Sequence, residues 1–137
     1  MTMNEKNIIL IIEDSDEDFA AIQWALQRTG RDYTVKRFSS SDPALEYLRN
    51  NDYPSVIFLD LNLNGTSGHD TLRIIKTDEK LCIIPVVVVT TSTDPKDIQF
   101  CYCNGASGYI NKPVNFEKFS RSLQILMDYW FEAVMLP

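Results

Sequence analysis

The sequence predicts an α/β protein with one doubly wound parallel sheet of five strands and helices on both faces. Short apolar runs alternate five times with amphipathic segments, which is typical of consecutive βα units. The first run, Asn7–Ile12, is apolar on both faces, as in a strand buried inside a parallel sheet. At 137 residues, with 45% hydrophobic and 23% charged residues, the chain has the size and composition of one globular domain. We expect a single domain over 1–137, with its core at about 7–130 and a C-terminal extension at 131–137.

The first two βα units are bounded by turn and capping residues. After the first strand, Asp16 is predicted to cap a helix that ends near Gly30, where a left-handed residue is favoured. Tyr33–Phe38 is the second predicted strand. Ser41 or Asp42 is then expected to cap the second helix, which has a proline in its first turn.

The third unit contains the most conspicuous polar residue. Its strand is predicted over Ser55–Leu59 and ends on Asp60. A loop with Gly65 and Gly68 follows, and the third helix is expected to run through Leu72 and Ile75.

The last two units follow the same pattern. Val86–Val89 is the fourth strand, and Asp94 and Gly105 bound the fourth helix. Tyr109–Ile110 forms a short fifth strand, and Asn115 caps the longest helix. That helix carries an apolar stripe at helical spacing, formed by Phe116, Phe119, Leu123, Leu126, Met127 and Trp130.

Charge and cysteine content exclude several classes of protein. A net charge of −6 without a basic stripe argues against nucleic-acid binding, since phosphates must be neutralised by a basic surface. The apolar runs fall far short of the roughly 20 residues that span a membrane, and Met1–Asn7 does not resemble a signal peptide. The three cysteines are therefore predicted to be reduced thiols in a cytoplasmic protein.

Polar residues follow four of the predicted strands. They are Glu13 and Asp14 after the first strand, Asp60 after the third, Thr90 after the fourth and Lys112 after the fifth. The carboxyl ends of parallel strands meet at one sheet edge, so these side chains should converge. Three close carboxylates repel unless a cation lies among them, and Mg²⁺ suits such oxygen ligands. The pattern predicts phosphoryl transfer to an aspartate, with Lys112 and Thr90 contacting the other phosphate oxygens.

Four segments carry a resemblance to a known family over residues 7 to about 130. They are IIEDS, FLDLNLNGTSG, VVVVTTS and GYINKP, in that order. The chain resembles the receiver domain of two-component response regulators, which has a flavodoxin-like fold. The resemblance implies that a partner histidine kinase phosphorylates Asp60. Because the sequence ends at Pro137, we expect a stand-alone receiver whose output is the binding of another protein or a shift in self-association.

The resemblance also implies a role for individual residues. The expected Mg²⁺ ligands are Glu13, Asp14, Asp60 and the backbone carbonyl of Asn62. Tyr109 would be an aromatic switch whose rotamer follows Thr90, and the Lys112–Pro113 peptide bond would be cis. Asn62 is neither an acid nor a base, which favours a phosphate that persists as a signal.

Three segments of the chain carry a finer resemblance within the receiver family. The segments DLNLNG and VVVVTTS and the aromatic end of the chain resemble the small response regulators of cyanobacterial phytochromes, which implies a phytochrome kinase. Apolar residues in excess of the stripe predict a homodimer through the last helix, and they are Tyr129, Phe131, Val134, Met135 and Leu136. The alternative is that these residues fold back on their own domain.

Three rival functions are disfavoured. A phosphorylation-independent, receiver-like binding scaffold usually lacks part of the acidic pair, the aspartate or the lysine, whereas this chain has all of them. A flavodoxin-like electron carrier would meet a repulsive acidic loop after the first strand. An independent phosphatase is disfavoured by Asn62.

His69, the single histidine, is expected to face solvent near a helix start.

Overall fold

The computed structural model describes residues 7–63, 65–112 and 115–137, and within them five parallel strands form one sheet in the order β2-β1-β3-β4-β5. The strands are β1 (Asn7–Ile12), β2 (Tyr33–Phe38), β3 (Val56–Leu59), β4 (Val86–Thr90) and β5 (Gly108–Asn111). The predicted fold class is confirmed. The chain first adds β2 on one side of β1 and then β3, β4 and β5 on the other. The strand order therefore reverses beside β1, which is where open α/β sheets place their functional sites.

Helices cover both faces of the sheet. They are α1 (Asp16–Gln27), α2 (Ser41–Asn50), α3 (Gly68–Thr77), α4 (Pro95–Cys103) and α5 (Phe116–Asp128). A 3₁₀ turn at Leu81–Ile83 precedes β4, and a π-helical turn at Tyr129–Ala133 extends α5. None of these helices, among the described residues, combines the length and apolar character needed to cross a membrane.

Side-chain alternation along β1 separates two hydrophobic cores. Leu10 and Ile12 lie in the core under α2, α3 and α4, while Ile9 and Ile11 lie in the core under α1 and α5. All four side chains are fully buried. Successive residues of a strand point to opposite faces, so an uninterrupted apolar run fills both cores at once.

Two predicted helix caps are wrong and two are confirmed. Ser15, not Asp16, caps α1, because its hydroxyl accepts the Asp18 N–H at 3.2 Å. Asp16 instead pairs with Arg37 at 2.7 Å. The second helix begins at Ser41, one residue early for the predicted caps, and the Ser41 hydroxyl is taken up in a buried hydrogen bond of 2.5 Å to Thr71. The caps predicted for the last two helices, Asp94 and Asn115, are both present.

Part of the C-terminal segment packs on its own domain. Trp130 is buried beneath the sheet, and Phe131 contacts Tyr33 with ring centroids 5.7 Å apart. Leu136 also packs against the core under α1 and α5. Tyr129 and Met135 stay exposed, so only some of the predicted surplus apolar residues are available to a partner.

Candidate functional site

The polar residues predicted to converge lie at the carboxyl edge of the sheet. Glu13 and Asp60 continue the backbone ladder beyond β1 and β3, since the Glu13 N–H donates to Phe38 O at 3.0 Å and the Asp60 N–H donates to Ile12 O at 3.1 Å. The Lys112 N–H donates to Thr90 O at 2.8 Å beyond β5. These backbone bonds fix the starting points of the side chains, so the site is held by the sheet itself.

Lys112 lies at the centre of an acidic cluster. Its ammonium donates to the carboxylates of Glu13, Asp18 and Asp60, with 3.0 Å to both Asp18 Oδ2 and Asp60 Oδ2. The side chains of Lys112, Glu13 and Asp60 are only 9%, 1% and 7% exposed. Buried charges of this kind persist only when they are paired and hydrogen-bonded. We call Glu13, Asp18, Asp60 and Lys112 the acidic cluster.

The acidic cluster is short of positive charge. Burial raises the pKa of Glu13 to about 7, although the Lys112 ammonium works in the opposite direction. Burial alone would lower the pKa of Lys112, but contact with Glu13 and Asp60 outweighs burial and raises that pKa above its usual value. Three carboxylates share one ammonium, so the cluster favours binding a proton or a second cation.

The donor set fits a divalent metal ion. One carboxylate oxygen from each of Glu13, Asp18 and Asp60 lies within 4.8 Å of the others. Carboxylate oxygens are the ligands that Mg²⁺ and related hard cations prefer. Asp14 follows Glu13 and is half-buried, and the Asn62 N–H donates to Asp60 Oδ1 at 3.1 Å. Ligation by Asp14 and by the Asn62 carbonyl remains a prediction.

Asp18 is the site residue that sequence reasoning missed. It lies one helical turn after the strand end, where a carboxylate is usually a favourable charge in a first turn. The signal was its spacing from Ser15, because a serine cap that bonds the backbone three residues later fixes the orientation of that first turn. The Asp18 carboxylate accepts from the Lys112 ammonium at 3.0 Å.

Gly68 allows the start of α3 to lie against the backbone of Asp60. The Gly68 N–H donates to Leu61 O at 3.0 Å. A Cβ atom at Gly68 would lie 2.2 Å from the Asp60 carbonyl oxygen and 2.5 Å from Leu61 Cα. The loop after β3 therefore returns tightly upon itself, and a side chain at this position is incompatible with the observed position of Asp60.

Thr90 and Tyr109 are connected through Ser92. The buried Thr90 hydroxyl accepts the Ser92 N–H at 3.4 Å, and the Tyr109 hydroxyl donates to the Ser92 carbonyl at 3.0 Å. The Tyr109 ring packs against the core under α2, α3 and α4. The predicted cis Lys112–Pro113 bond lies outside the described residues.

A groove opens beside the acidic cluster, between α1 and α5. It has a volume of about 390 Å³, and its lining residues include Asp18, Ala21, Thr91, Lys112 and Phe116. Trp24 lies next to it on α1, 65% exposed, with its ring edge-on to Phe116 at 5.9 Å. An apolar surface therefore adjoins the charged site.

The prediction that His69 faces solvent near a helix start is confirmed only in part, because its side chain lies in the first turn of α3 but is 30% exposed. Its Nε2 is 2.8 Å from Asp97 Oδ1, and its ring packs edge-on against Phe100 at 5.1 Å. The thiol of Cys101 is buried and those of Cys82 and Cys103 are exposed, and all three are free.

Comparison with known proteins identifies the family to which this chain is similar. Residues 9–124 match the family model described as the response regulator receiver domain. The probable methanogenesis regulatory protein FilR2 of Methanothrix harundinacea is 36% identical over 90% of this chain and 83% of its own length. Response regulator Rcp1 of Synechocystis is 31% identical over 98% of this chain and 95% of its own length.

Solved structures agree with the sequence relatives. The phosphorylated cyanobacterial phytochrome response regulator RcpA superposes with a TM-score of 0.90 at 32% identity, covering 97% of this chain and 99% of that one. The Mn²⁺-bound form of Rcp1 superposes with a TM-score of 0.87 at 31% identity, covering 96% and 99% of the two chains. Receiver domains bind a divalent metal at an acidic pocket, and the cluster of Glu13, Asp18 and Asp60 provides such a pocket here.

Proposed function

Because this chain belongs to the response regulator receiver family, we propose that it accepts a phosphoryl group on Asp60, with Mg²⁺ at the acidic cluster, from a histidine kinase. One observation carries the proposal. The Asp60 carboxylate is buried at the sheet edge, with Oδ2 bonded to Lys112 and Oδ1 bonded to the Asn62 N–H. Among the described carboxylates, only Glu13 shares this combination of a buried position, contact with the Lys112 ammonium and two acidic neighbours.

The proposal gives each residue of the site a role in the transfer. An oxygen of Asp60 attacks the phosphorus of a phosphohistidine, and the P–N bond breaks with its electron pair returning to the imidazole nitrogen. Lys112, already 3.0 Å from Asp60, is placed to donate to a phosphoryl oxygen. The Thr90 hydroxyl is held by a long bond of 3.4 Å and can exchange it for a charge-assisted one. Mg²⁺, held by Asp60, Glu13 and the predicted ligands Asp14 and Asn62, would neutralise negative charge on the transferring group.

The conformational output is proposed to follow from that exchange. A phosphoryl group that attracts the Thr90 hydroxyl removes the acceptor of the Ser92 N–H, so the loop after β4 must adjust. Tyr109, whose hydroxyl is bonded to that loop, then turns toward the space that Thr90 leaves. Thr90→Ala should therefore accept phosphate but lose the response of the α4–β5 surface to it. A variant whose partner binding still responds normally to phosphorylation would contradict this mechanism.

The phosphodonor is proposed to be a phytochrome-type histidine kinase that docks along the groove between α1 and α5. The likeness to Rcp1 and to the phytochrome response regulator RcpA supports this class of kinase. The groove supports the docking site, because Lys112 lines it and exposed Trp24 lies beside it, in contact with Phe116. Trp24→Ala should slow transfer from the kinase but not from acetyl phosphate, whereas Tyr53→Ala, an exposed aromatic remote from the groove, should slow neither.

Self-association is proposed to use the outer face of α5. Ile125 and Tyr129, one turn apart, and Met135 are 58%, 56% and 98% exposed. A two-fold symmetric dimer would cover this apolar surface with its own copy. Sedimentation of Tyr129→Ser combined with Met135→Ser should give a monomer where the unchanged chain gives a dimer. These substitutions spare Trp130, which the core requires. A monomeric unchanged chain would refute the dimer.

The proposed function is tested by labelling. With acetyl phosphate and Mg²⁺, the protein should gain one hydroxylamine-labile phosphoryl group, and Asp60→Asn should gain none. Asp70→Asn is the matched control, because Asp70 is an exposed aspartate in α3 that contacts Arg73 rather than the acidic cluster. Equal labelling of Asp60→Asn and the unchanged protein would refute the assignment. Absence of labelling in the unchanged protein would favour a phosphorylation-independent scaffold.

A further inference from the structure

A chain of side-chain hydrogen bonds outside the acidic cluster joins α3 to the loop after β4. His69, in the first turn of α3, contacts Asp97 Oδ1 through Nε2 at 2.8 Å. The second oxygen of Asp97, in the first turn of α4, accepts the Ser92 hydroxyl at 2.5 Å. We call His69, Asp97 and Ser92 the tether.

The tether lies in a partly protected position. The side chains of His69 and Asp97 are 30% and 29% exposed, and the histidine ring is backed by Phe100. Hydrogen bonds from Ser92 and His69 hold the pKa of Asp97 below its usual value, so the acceptor is a charged carboxylate. Charge-assisted hydrogen bonds of this kind are shorter and stronger than neutral ones.

Ser92 links the tether to Thr90 and Tyr109, the residues of the proposed conformational output. Its hydroxyl is held by Asp97 and also accepts the Asp94 N–H at 3.2 Å. Its carbonyl accepts the Tyr109 hydroxyl at 3.0 Å, and its N–H donates to Thr90 at 3.4 Å. Restraining the Ser92 side chain therefore restrains the acceptor that determines where the Tyr109 hydroxyl lies.

We propose that His69 and Asp97 are positioning residues: through Ser92 they hold Tyr109 against the loop after β4 before any phosphoryl group is present. The consequence for phosphorylation rests on the proposed function of Asp60. Movement of Thr90 to a phosphoryl group leaves space into which the Tyr109 ring packs. The Tyr109 hydroxyl already donates to the Ser92 carbonyl, two residues after Thr90, so residues that keep it there favour the phosphorylated conformation. Coupling between sites is reciprocal, so loss of the tether lowers the affinity of the Asp60 site for a phosphoryl group, about fivefold or more.

The first experiment needs no phosphoryl group. The full chain, labelled with 3-fluorotyrosine, gives a ¹⁹F resonance for Tyr109 that is assigned by its loss in Tyr109→Phe. His69→Ala should shift and broaden this resonance, whereas His69→Gln, which can place a donor amide near the position of Nε2, should restore it. Asp70→Ala is the matched control, since Asp70 is the next residue of α3 and pairs only with Arg73 among the ion pairs of the described residues.

A double-mutant cycle tests whether the coupling passes through the Ser92 hydroxyl. Ser92→Ala removes that hydroxyl but keeps the carbonyl that Tyr109 uses. In the Ser92→Ala background, His69→Ala should have no further effect on the Tyr109 resonance. Additive effects of the two substitutions would overturn the proposed route, and an unchanged resonance in His69→Ala would overturn the proposal as a whole.

The second experiment measures the phosphoryl-dependent consequence. Beryllofluoride with Mg²⁺ is a tetrahedral mimic of a phosphoryl group on a carboxylate, and its affinity for the protein can be titrated by the same ¹⁹F signal. His69→Ala should bind it about fivefold or more weakly, and His69→Gln should bind it like the unchanged chain. Unchanged affinity in His69→Ala would overturn the consequence for Asp60. If the unchanged chain binds no beryllofluoride, the function proposed for Asp60 fails, and the first experiment still decides the tether.

Discussion

Replacing Gly68 with alanine tests how tightly the site depends on the loop after β3. A Cβ atom built at Gly68 lies 2.2 Å from the Asp60 carbonyl oxygen, whereas real Cβ contacts are essentially never shorter than 3.0 Å. The obstructing atoms belong to the backbone of Asp60 and Leu61, so no side-chain rotation relieves the contact. Either α3 or the Asp60 segment must therefore move by about 1 Å.

The magnitude follows from that displacement. Overpacking a well-ordered interior costs about 1–3 kcal/mol, and a backbone obstacle places Gly68→Ala at the upper end, about 3 kcal/mol. With a urea slope near 2 kcal/mol per molar, the unfolding midpoint should fall by about 1.5 M. Misplacement of a reacting group by about 1 Å can cost about a hundredfold in rate, so phosphorylation of Asp60 should slow strongly.

Urea unfolding and labelling with acetyl phosphate measure both effects on the same preparations. Gly30→Ala is the control, because Gly30 has a φ of +72° but nothing within 4 Å of the added atom. It should cost only the strain of a left-handed alanine, about 1 kcal/mol, and leave labelling unchanged. A Gly68→Ala protein that is no less stable than Gly30→Ala and is labelled at the normal rate would contradict a backbone clash at this position.

Three further predictions concern the charges of the site, and calorimetric titration with Mg²⁺ measures each of them. Asp14→Ala should weaken Mg²⁺ binding about tenfold or more, since a ligand is lost, and unchanged affinity would remove Asp14 from the ligand set. Glu13 has a pKa of about 7 and must be deprotonated to bind metal. The affinity for Mg²⁺ should therefore fall by up to about tenfold per pH unit below pH 7 and level off above it. Equal affinities for Mg²⁺ at pH 6 and pH 8 would contradict this. Lys112→Met removes the cation that shares the cluster, so it should tighten Mg²⁺ binding yet slow labelling of Asp60, and weaker binding would show that Lys112 is not a competitor for the carboxylates.

The fold was predictable because each strand carries its own evidence. A run such as Ile8–Ile12 is too apolar for a strand with one solvent-exposed face. It is therefore expected inside a parallel sheet that helices cover on both faces. The helix starts were less predictable. Ser15 and Asp16 are equally good caps by type, and the tertiary ion pair between Asp16 and Arg37 is invisible in a local pattern.

The site was predictable where residues follow strands, and less so elsewhere. Glu13, Asp60 and Lys112 converge because the sheet places the ends of β1, β3 and β5 at one edge. Asp18 belongs to a helix, and its contact with Lys112 depends on the rotation of α1 about its axis. The contact of His69 was missed for a similar reason, since its partner Asp97 is 28 residues away on another helix.

No local sequence pattern predicted the π-helical turn after α5. The apolar residues of the C-terminal segment could equally cover their own sheet or a partner, because sequence spacing does not distinguish the two. In the structure some of these residues cover their own domain and others do not: Phe131 packs against Tyr33, whereas Met135 is exposed. Packing between distant segments decides this outcome, and it arises only once α1 and α5 are in place.

The most direct test of the central claim is to locate the phosphoryl group. The intact chain is incubated with acetyl phosphate and Mg²⁺, digested under acidic conditions and analysed by mass spectrometry. The proposal predicts one added phosphoryl group on the peptide that contains Asp60, sensitive to hydroxylamine and absent when a chelator replaces Mg²⁺. A phosphoryl group found on another residue, or added equally in the presence of the chelator, would contradict the assignment of Asp60 and the acidic cluster.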